Sequence, residues 1–124
     1  MLILYVIGRI LFAAIFVLSG YRHIAKVKGM SAYAKSMGLP AAGFLTVLSG
    51  IMILVGGIMV LFDVAMFWGA LLILLFLVPA AFTMHAFWRV QDPGMKAVQE
   101  AQFLKNLSLA GAALMIMYYT YGLH

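Results

Sequence analysis

Residues 41–62 read AAGFLTVLSGIMILVGGIMVLF and, after one aspartate, residues 64–87 read VAMFWGALLILLFLVPAAFTMHAF. Each stretch has the length of about 20 apolar residues that a helix needs to cross a hydrocarbon layer of about 30 Å. The single-residue break at Asp63 predicts that the two helices are antiparallel neighbours. Two more apolar stretches complete the pattern, so the sequence predicts an all-α fold, a single integral membrane four-helix bundle with spans at about 2–22, 41–62, 64–87 and 103–123.

The composition excludes several classes of function. Hydrophobic residues form 67% of the chain and charged residues 9%, whereas soluble domains carry roughly 25% charged residues. Cysteine is absent, which excludes disulfides, thiol catalysis and thiolate metal sites. The net charge of +5 comes mostly from lysines and arginines that flank the apolar stretches, and no basic face with interleaved aromatics indicates nucleic-acid binding. No catalytic constellation is evident, so autonomous catalysis is not expected.

The loops predict an interfacial helix and a topology. Met30, Tyr33, Ala34 and Met37 recur at helical spacing, which is typical of a short amphipathic helix at the membrane surface between the first and second spans. By the positive-inside rule, the first and third loops are predicted to be cytoplasmic and both termini periplasmic. The basic residues of these two loops are Arg22, Lys26, Lys28, Lys35, Arg89 and Lys96.

Four polar side chains at or near membrane depth are the candidate ligand-binding residues: Arg9, His23, His85 and Asn106. An arginine at mid-helix costs about 2.5–3.5 kcal/mol on insertion, so Arg9 should have a partner. One interpretation is a structural ion pair with Asp63, and the other is a cation that holds an anionic or carbonyl ligand. The histidines suit helix capping or hydrogen bonds to a quinone, and no ligand spacing predicts a metal site or haem. Asn106 needs a partner on another helix or on a ligand.

Small residues indicate where helices approach closely. Gly50 and Gly57 lie seven residues apart in the second span, and Ser108 and Gly111 lie close together in the fourth. Because lipid gives helices no hydrophobic reason to associate, close contact at small residues is the usual basis of their packing. These four positions are therefore the predicted packing sites.

Several segments together resemble the DoxX family of small four-helix membrane proteins. The resemblance is spread over nearly the whole chain. The segments that resemble the family are Gly8–Leu11 (GRIL), Phe16–Gly20 (FVLSG), Gly38–Pro40 (GLP), His85–Trp88 (HAFW) and Phe103–Asn106 (FLKN), together with Gly50, Gly56, Gly57 and Gly111. The chain departs from the family pattern around Thr46, where members often carry a glutamate, so a role that depends on that carboxylate is not expected here.

The resemblance implies a function at the bacterial inner (plasma) membrane. DoxX-like proteins are similar to a quinol-linked oxidase subunit and are associated with oxidoreductase complexes. The leading expectation is therefore an accessory subunit or partner of a respiratory redox system, with a quinone near Arg9, His23, His85 and Asn106. The alternatives are a non-catalytic scaffold or assembly factor that docks on other membrane proteins or on further copies of itself, and a small-solute carrier, which would need an oligomer.

Overall fold

The computed structural model describes residues 1–122, and this part of the chain is helical with no strand. Its elements in chain order are α1 (Leu2–Ala25), α2 (Val27–Ser36), α3 (Ala42–Leu61), α4 (Met66–Thr83), a 3-10 turn (Phe87–Arg89) and α5 (Pro93–Thr120). α2 is a short helix between the first two long ones, as its amphipathic pattern predicts. Helices α1, α3 and α4 follow the first three predicted spans, although α4 ends before residue 87.

Three segments are long and apolar enough to cross a membrane: Leu2–Ala25, Ala42–Leu61 and Met66–Arg89. The fourth predicted span falls on α5, which begins at Pro93 rather than near residue 103 and is more polar than the other long helices. Its predicted end at Leu123 lies outside the described residues. The structure thus confirms an all-helical chain with three candidate spans, and the four-span bundle stays a prediction.

The helix ends follow from local backbone chemistry. Between α3 and α4, Asp63 and Ala65 both adopt positive φ (57° and 46°), which reverses the chain within a few residues. α5 begins where the Oδ2 of Asp92 accepts a hydrogen bond of 2.9 Å from the backbone N–H of Met95. Pro93 follows directly, in the first helical turn where a missing N–H has no effect. This cap lies outside the apolar stretch and starts α5 early.

Close backbone contacts join the helices. A Cβ atom on Gly20 of α1 would lie 2.8 Å from the carbonyl oxygen of Gly50 in α3, and one on Gly50 would lie 2.5 Å from the Cβ of His23. Likewise, a Cβ on Gly56 of α3 would lie 2.7 Å from the carbonyl oxygen of Gly69 in α4. Glycine is therefore required for α3 to approach both of its neighbours. The core beside these contacts contains Ala13, Phe16, Ile53, Val60, Ile73 and Leu77.

Two of the four predicted packing positions lie in a contact between helices of the chain, and the other two lie on its exposed surface. Gly50 and Gly57 lie in the α1–α3 contact, where a Cβ on Gly57 would lie 3.0 Å from the Cγ2 of Val17. Ser108 and Gly111 are exposed instead, and no atom lies within 4 Å of a Cβ placed on Gly111. The buried positions of α5 are Gln99, Asn106, Ala110, Ala113 and Thr120. The small residues Ser108 and Gly111 thus face away from the other helices of the chain.

Helix α2 is held against the end of α4. The hydroxyl of Tyr33 donates a hydrogen bond of 3.3 Å to the carbonyl oxygen of Met84, and Arg89 donates one of 3.3 Å to the carbonyl oxygen of Met37. Ala34 is buried on the same helix. Burial raises the pKa of Tyr33 above its usual value near 10. The C-terminal half of the short helix is therefore tied to the end of α4 and to the turn that follows it.

We expect Gly50→Ala to destabilise the protein by about 1–3 kcal/mol, because the added methyl group overpacks the α1–α3 contact. Gly111→Ala is the matched control, since it adds the same methyl group to an open helical position and should be neutral or stabilising by up to about 1 kcal/mol. Thermal and denaturant unfolding in detergent measures both effects. Equal stability of the two variants would contradict the close contact at Gly50.

We expect Tyr33→Phe to flatten the alkaline limb of the stability profile. The folded state holds the phenol proton more tightly than the unfolded state, so the stability from Tyr33 is complete below pH of about 10 and declines as pH rises further. At neutral pH the variant should lose about 0.5–1.5 kcal/mol with its hydrogen bond. Thermal unfolding across this pH range checks the result, with Tyr21→Phe at an exposed tyrosine as control. An unchanged alkaline limb in Tyr33→Phe would refute the assignment.

Candidate functional site

Arg9 is held at the end of α3. Its Nε donates a hydrogen bond of 3.1 Å to the carbonyl oxygen of Leu61, and its Nη1 lies 3.5 Å from the Oδ2 of Asp63. Its Cζ lies 5.1 Å from the ring centroid of Tyr5. The last carbonyls of a helix lack partners within the helix and carry partial negative charge, so a guanidinium suits this position. The structure therefore brings Arg9 and Asp63 together and gives the cation three local partners.

A cleft of about 350 Å³ lies beside this pair. Residues that line it include Tyr5, Asp63, Met66 and Thr120. The side chain of Asp63 is 51% exposed, whereas that of Arg9 is only 15% exposed. A ligand in this cleft would meet the exposed carboxylate of Asp63 rather than the guanidinium of Arg9, which does not line the cleft, so the geometry does not favour Arg9 as the binder of an anion.

His23 ties α1 to α3. Its Nδ1 lies 3.1 Å from the carbonyl oxygen of Thr46 and 3.0 Å from the Oγ of Ser49. A carbonyl oxygen only accepts, so this contact assigns the proton to Nδ1 and the lone pair of the neutral ring to Nε2. The ring also meets Phe76 of α4 edge-on, with centroids 5.6 Å apart. His23 is thereby packed between three helices at the Gly50 contact.

His85 joins the end of α4 to α5. Its Nδ1 lies 2.7 Å from the Oε1 of Gln99, which is only 7% exposed. Because an amide oxygen accepts, Nδ1 carries the proton and the Nε2 of the neutral ring presents a lone pair. The ammonium group of Lys105 is close enough for Coulombic interaction with the ring. The buried glutamine thus fixes both the tautomer and the orientation of His85.

Asn106 is almost fully buried and has unused hydrogen-bonding capacity. It is 2% exposed, and no side chain or backbone group within residues 1–122 hydrogen-bonds to its amide. Its polar atoms keep slight contact with the surface, because the Oγ of Ser31 alone is a fully inaccessible side-chain polar atom without a hydrogen bond in residues 1–122. Asn106 lies seven residues after Gln99, which places both on the face of α5 that packs against α4. This face therefore carries one satisfied amide and one that lacks a partner.

Four aromatic rings surround the end of α4. Phe82, Phe87, Trp88 and Phe103 form an aromatic cluster in which neighbouring ring centroids lie between 5.2 and 6.2 Å apart. Phe87 and Trp88 follow His85 within three residues, and Phe103 follows Gln99 by one turn of α5. The His85–Gln99 pair is therefore next to an apolar surface built of flat rings.

The four candidate ligand residues do not form one site. Arg9 and His23 lie on the same helix but 14 residues apart, which corresponds to about 21 Å along the axis. No hydrogen bond joins any two of Arg9, His23, His85 and Asn106 in the described part of the chain. Only His85 and Asn106 share a contact region, that of α4 with α5.

Gln99 was not a candidate from sequence because the fourth helix was predicted to begin at residue 103. The seven-residue spacing between Gln99 and Asn106 is the signal that would have indicated a shared helical face.

Residues 1–122 contain no group of three or more His, Asp or Glu side chains placed to bind a metal ion.

Comparison with known proteins identifies the fold family. A model of the DoxX family matches residues 4–86, which contain α1 to α4 together with Arg9, His23 and His85. Searches of curated proteins and of solved structures find no match. The matched segment is more than half of the chain and contains all three of the candidate membrane spans almost entirely. The protein belongs to the DoxX family of membrane proteins.

Proposed function

We propose that this protein is an accessory subunit or partner of a respiratory redox system and that a quinone or quinol contacts the α4–α5 junction. The observation that carries the proposal is the arrangement of His85 and Asn106. The 2.7 Å bond to Gln99 leaves the Nε2 of His85 without a protein partner, and the buried Asn106 amide also lacks one. Two polar groups next to an aromatic cluster suit a flat ligand with oxygen atoms.

The chemistry of the two groups is complementary. The lone pair on the Nε2 of His85 accepts a hydrogen bond from a quinol hydroxyl and takes one of the two protons released when the quinol is oxidised, and the second proton passes to water at this end of the span. The amide of Asn106 donates a hydrogen bond to a quinone carbonyl oxygen. The two electrons pass to a partner protein, because the sequence has no cysteine for iron–sulfur ligation and no predicted haem site. The role is therefore that of a binding and proton-accepting subunit rather than a complete oxidoreductase.

The proposed orientation follows the charge distribution. With α5 as a fourth span, the loops that carry Lys26, Lys28, Arg89 and Lys96 lie on one side of the bilayer, and the positive-inside rule assigns that side to the cytoplasm. Both termini are then periplasmic in a bacterial inner membrane. His85 lies at the cytoplasmic end of its span in this orientation, near water that can receive its proton.

In this proposal, Arg9 and His23 stabilise the fold and do not contact the ligand. The guanidinium of Arg9 already contacts the end of α3 and Asp63, and the Nδ1 of His23 already contacts Thr46 and Ser49. Neither residue has a geometric connection to the His85 region. Substitution of either residue should therefore change stability before it changes ligand binding.

We expect His85→Asn and Asn106→Leu each to reduce quinone bound to the purified protein by about tenfold. Asparagine keeps an amide near the position of Nδ1 that can donate to Gln99 but lacks any atom at the position of Nε2. Leucine keeps the branched shape of asparagine and removes the amide, but its methyl groups are bulkier, so the unfolding temperature of this variant is measured as well. Mass spectrometry of protein extracted in mild detergent measures the bound quinone, and co-purification identifies any oxidoreductase.

His23→Asn is the matched control, because it makes the same change at a histidine outside the proposed site. It should retain the wild-type amount of quinone. Equal retention by all three variants, or wild-type protein without quinone and without an associated oxidoreductase, would refute the proposal.

A scaffold function is the second candidate, and the exposed face of α5 favours it. Ser108 and Gly111 lie on an exposed surface between Leu107 and Met115, and within residues 1–122 no atom lies within 4 Å of a Cβ placed on Gly111. Small residues on a lipid-facing surface permit close contact with a helix of another membrane protein. Gly50 and Gly57 are not available for this purpose because they are packed against α1.

We expect Gly111→Leu to abolish association with a partner subunit or a second copy while leaving the unfolding temperature near that of the wild type. The leucine side chain would block close approach on an open surface. Cross-linking in membranes and size-exclusion chromatography in detergent measure association. The control is Leu75→Ala, at an exposed position on α4. Unchanged association in Gly111→Leu would contradict a docking role for this face.

A further inference from the structure

An open groove of about 500 Å³ lies between α2 and the start of α3. α2 contributes Lys28, Ser31, Ala32 and Lys35 to one wall, and residues 39–43 form the other. The α2 residues are spaced at three, four and seven positions, so they share one helical face. No residue of the His85 region lines the groove, and the argument for the groove does not rest on the proposed redox role.

Ser31 has a buried hydroxyl without a partner. Its Oγ is inaccessible to water and is the one such buried side-chain polar atom in residues 1–122 that forms no hydrogen bond. A Cβ placed on Gly43, across the groove, would lie 3.9 Å from this oxygen. Buried hydroxyls are almost always hydrogen-bonded, because an unsatisfied one loses its hydration without compensation. The Ser31 hydroxyl therefore indicates a partner that comes from outside the chain.

Lys28 and Lys35 add two positive charges to the same wall. Both residues are exposed at the groove, and no carboxylate of the described chain forms a salt bridge with either. Two unneutralised cations on either side of a hydroxyl attract an anion. They also exclude a cationic ligand from the groove.

The start of α3 supplies backbone donors to the other wall. Its cap residue Ala41 makes no side-chain cap, and the first backbone hydrogen bond of the helix runs from Leu45 to Ala41. The backbone N–H groups of Ala42, Gly43 and Phe44 therefore precede the hydrogen-bonded part of the helix. Such a helix start favours an anion through both its free donors and its dipole. Here it adds to the lysines and to the Ser31 hydroxyl, and does not carry the argument alone.

We propose that this groove binds the phosphate group of an anionic phospholipid. The phosphate would lie between the ammonium groups of Lys28 and Lys35 and accept hydrogen bonds from the α3 backbone, and the Ser31 hydroxyl would donate to it after its side chain rotates from the buried position toward the groove. The rest of the wall is apolar and includes Ala32, Leu39 and Pro40, which suits the glycerol and the upper acyl chain of a lipid. Free phosphate has the same charged group but none of the apolar part.

The test uses the full-length protein in a mild detergent with phosphatidylglycerol, phosphatidylcholine or inorganic phosphate as probes. We expect phosphatidylglycerol to bind in native mass spectrometry and to raise the unfolding temperature, and phosphatidylcholine to do neither. Lys28→Gln combined with Lys35→Gln should weaken phosphatidylglycerol binding by roughly thirtyfold. Lys26→Gln combined with Lys96→Gln removes the same charge outside the groove and should leave binding close to the wild-type value.

The Ser31→Ala variant distinguishes binding of phosphatidylglycerol at a specific site from its general attraction to positive charge. It should weaken phosphatidylglycerol binding without lowering the unfolding temperature of the lipid-free protein, because the hydroxyl has no partner within the chain. Competition by inorganic phosphate would support the anion site with a soluble ligand, and failure to compete would support the lipid. Equal loss in the two lysine pairs, full binding by Ser31→Ala, or binding of neither anion would overturn the proposal.

Discussion

The close approach of α3 to α1 and α4 is the constraint on which the rest of the structure depends. In lipid, apolar side chains gain little by leaving the hydrocarbon, so helices associate where their backbones can come close. Gly20 and Gly50 allow this on one side of α3, and Gly56 and Gly69 allow it on the other. The same closeness brings the ring of His23 to the α3 backbone. Packing by small residues thus determines which polar contacts are available.

Polar groups within the bilayer region are nearly all satisfied inside the chain, as the absence of water at that depth requires. Arg9 contacts the last turn of α3, His23 contacts the α3 backbone, and His85 contacts Gln99. Two groups differ: the Asn106 amide on α5 forms no hydrogen bond in the described chain, and the Ser31 hydroxyl on the interfacial helix α2 is inaccessible and has no partner. Where most buried polar groups have a hydrogen-bond partner in the chain, a group without one is a position at which a ligand would gain a hydrogen bond.

The apolar stretches and the helix-ending residues between them predicted the long helices, because both are local features of the sequence. The break at Asp63 and the amphipathic spacing after Arg22 were sufficient to place α2, α3 and the start of α4. The beginning of α5 was not predictable from apolarity, since its first turns are polar and are fixed by the Asp92 cap. Which face of α5 is buried depends on contacts with α4 that no single segment encodes. Gln99 therefore escaped the sequence analysis, although it fixes the orientation of His85.

The family match covers the helices that pack through glycine but excludes two residues of the proposed site. The match ends at residue 86, so it includes His85 and the helices that pack through glycine. Gln99 and Asn106, which orient the histidine and supply the unpaired amide, lie beyond it on α5. A fold does not determine a function, and function depends on the groups placed on it. Membership of the family thus explains the helices and their membrane location, whereas the chemistry proposed at the α4–α5 junction depends on residues that the family match does not include.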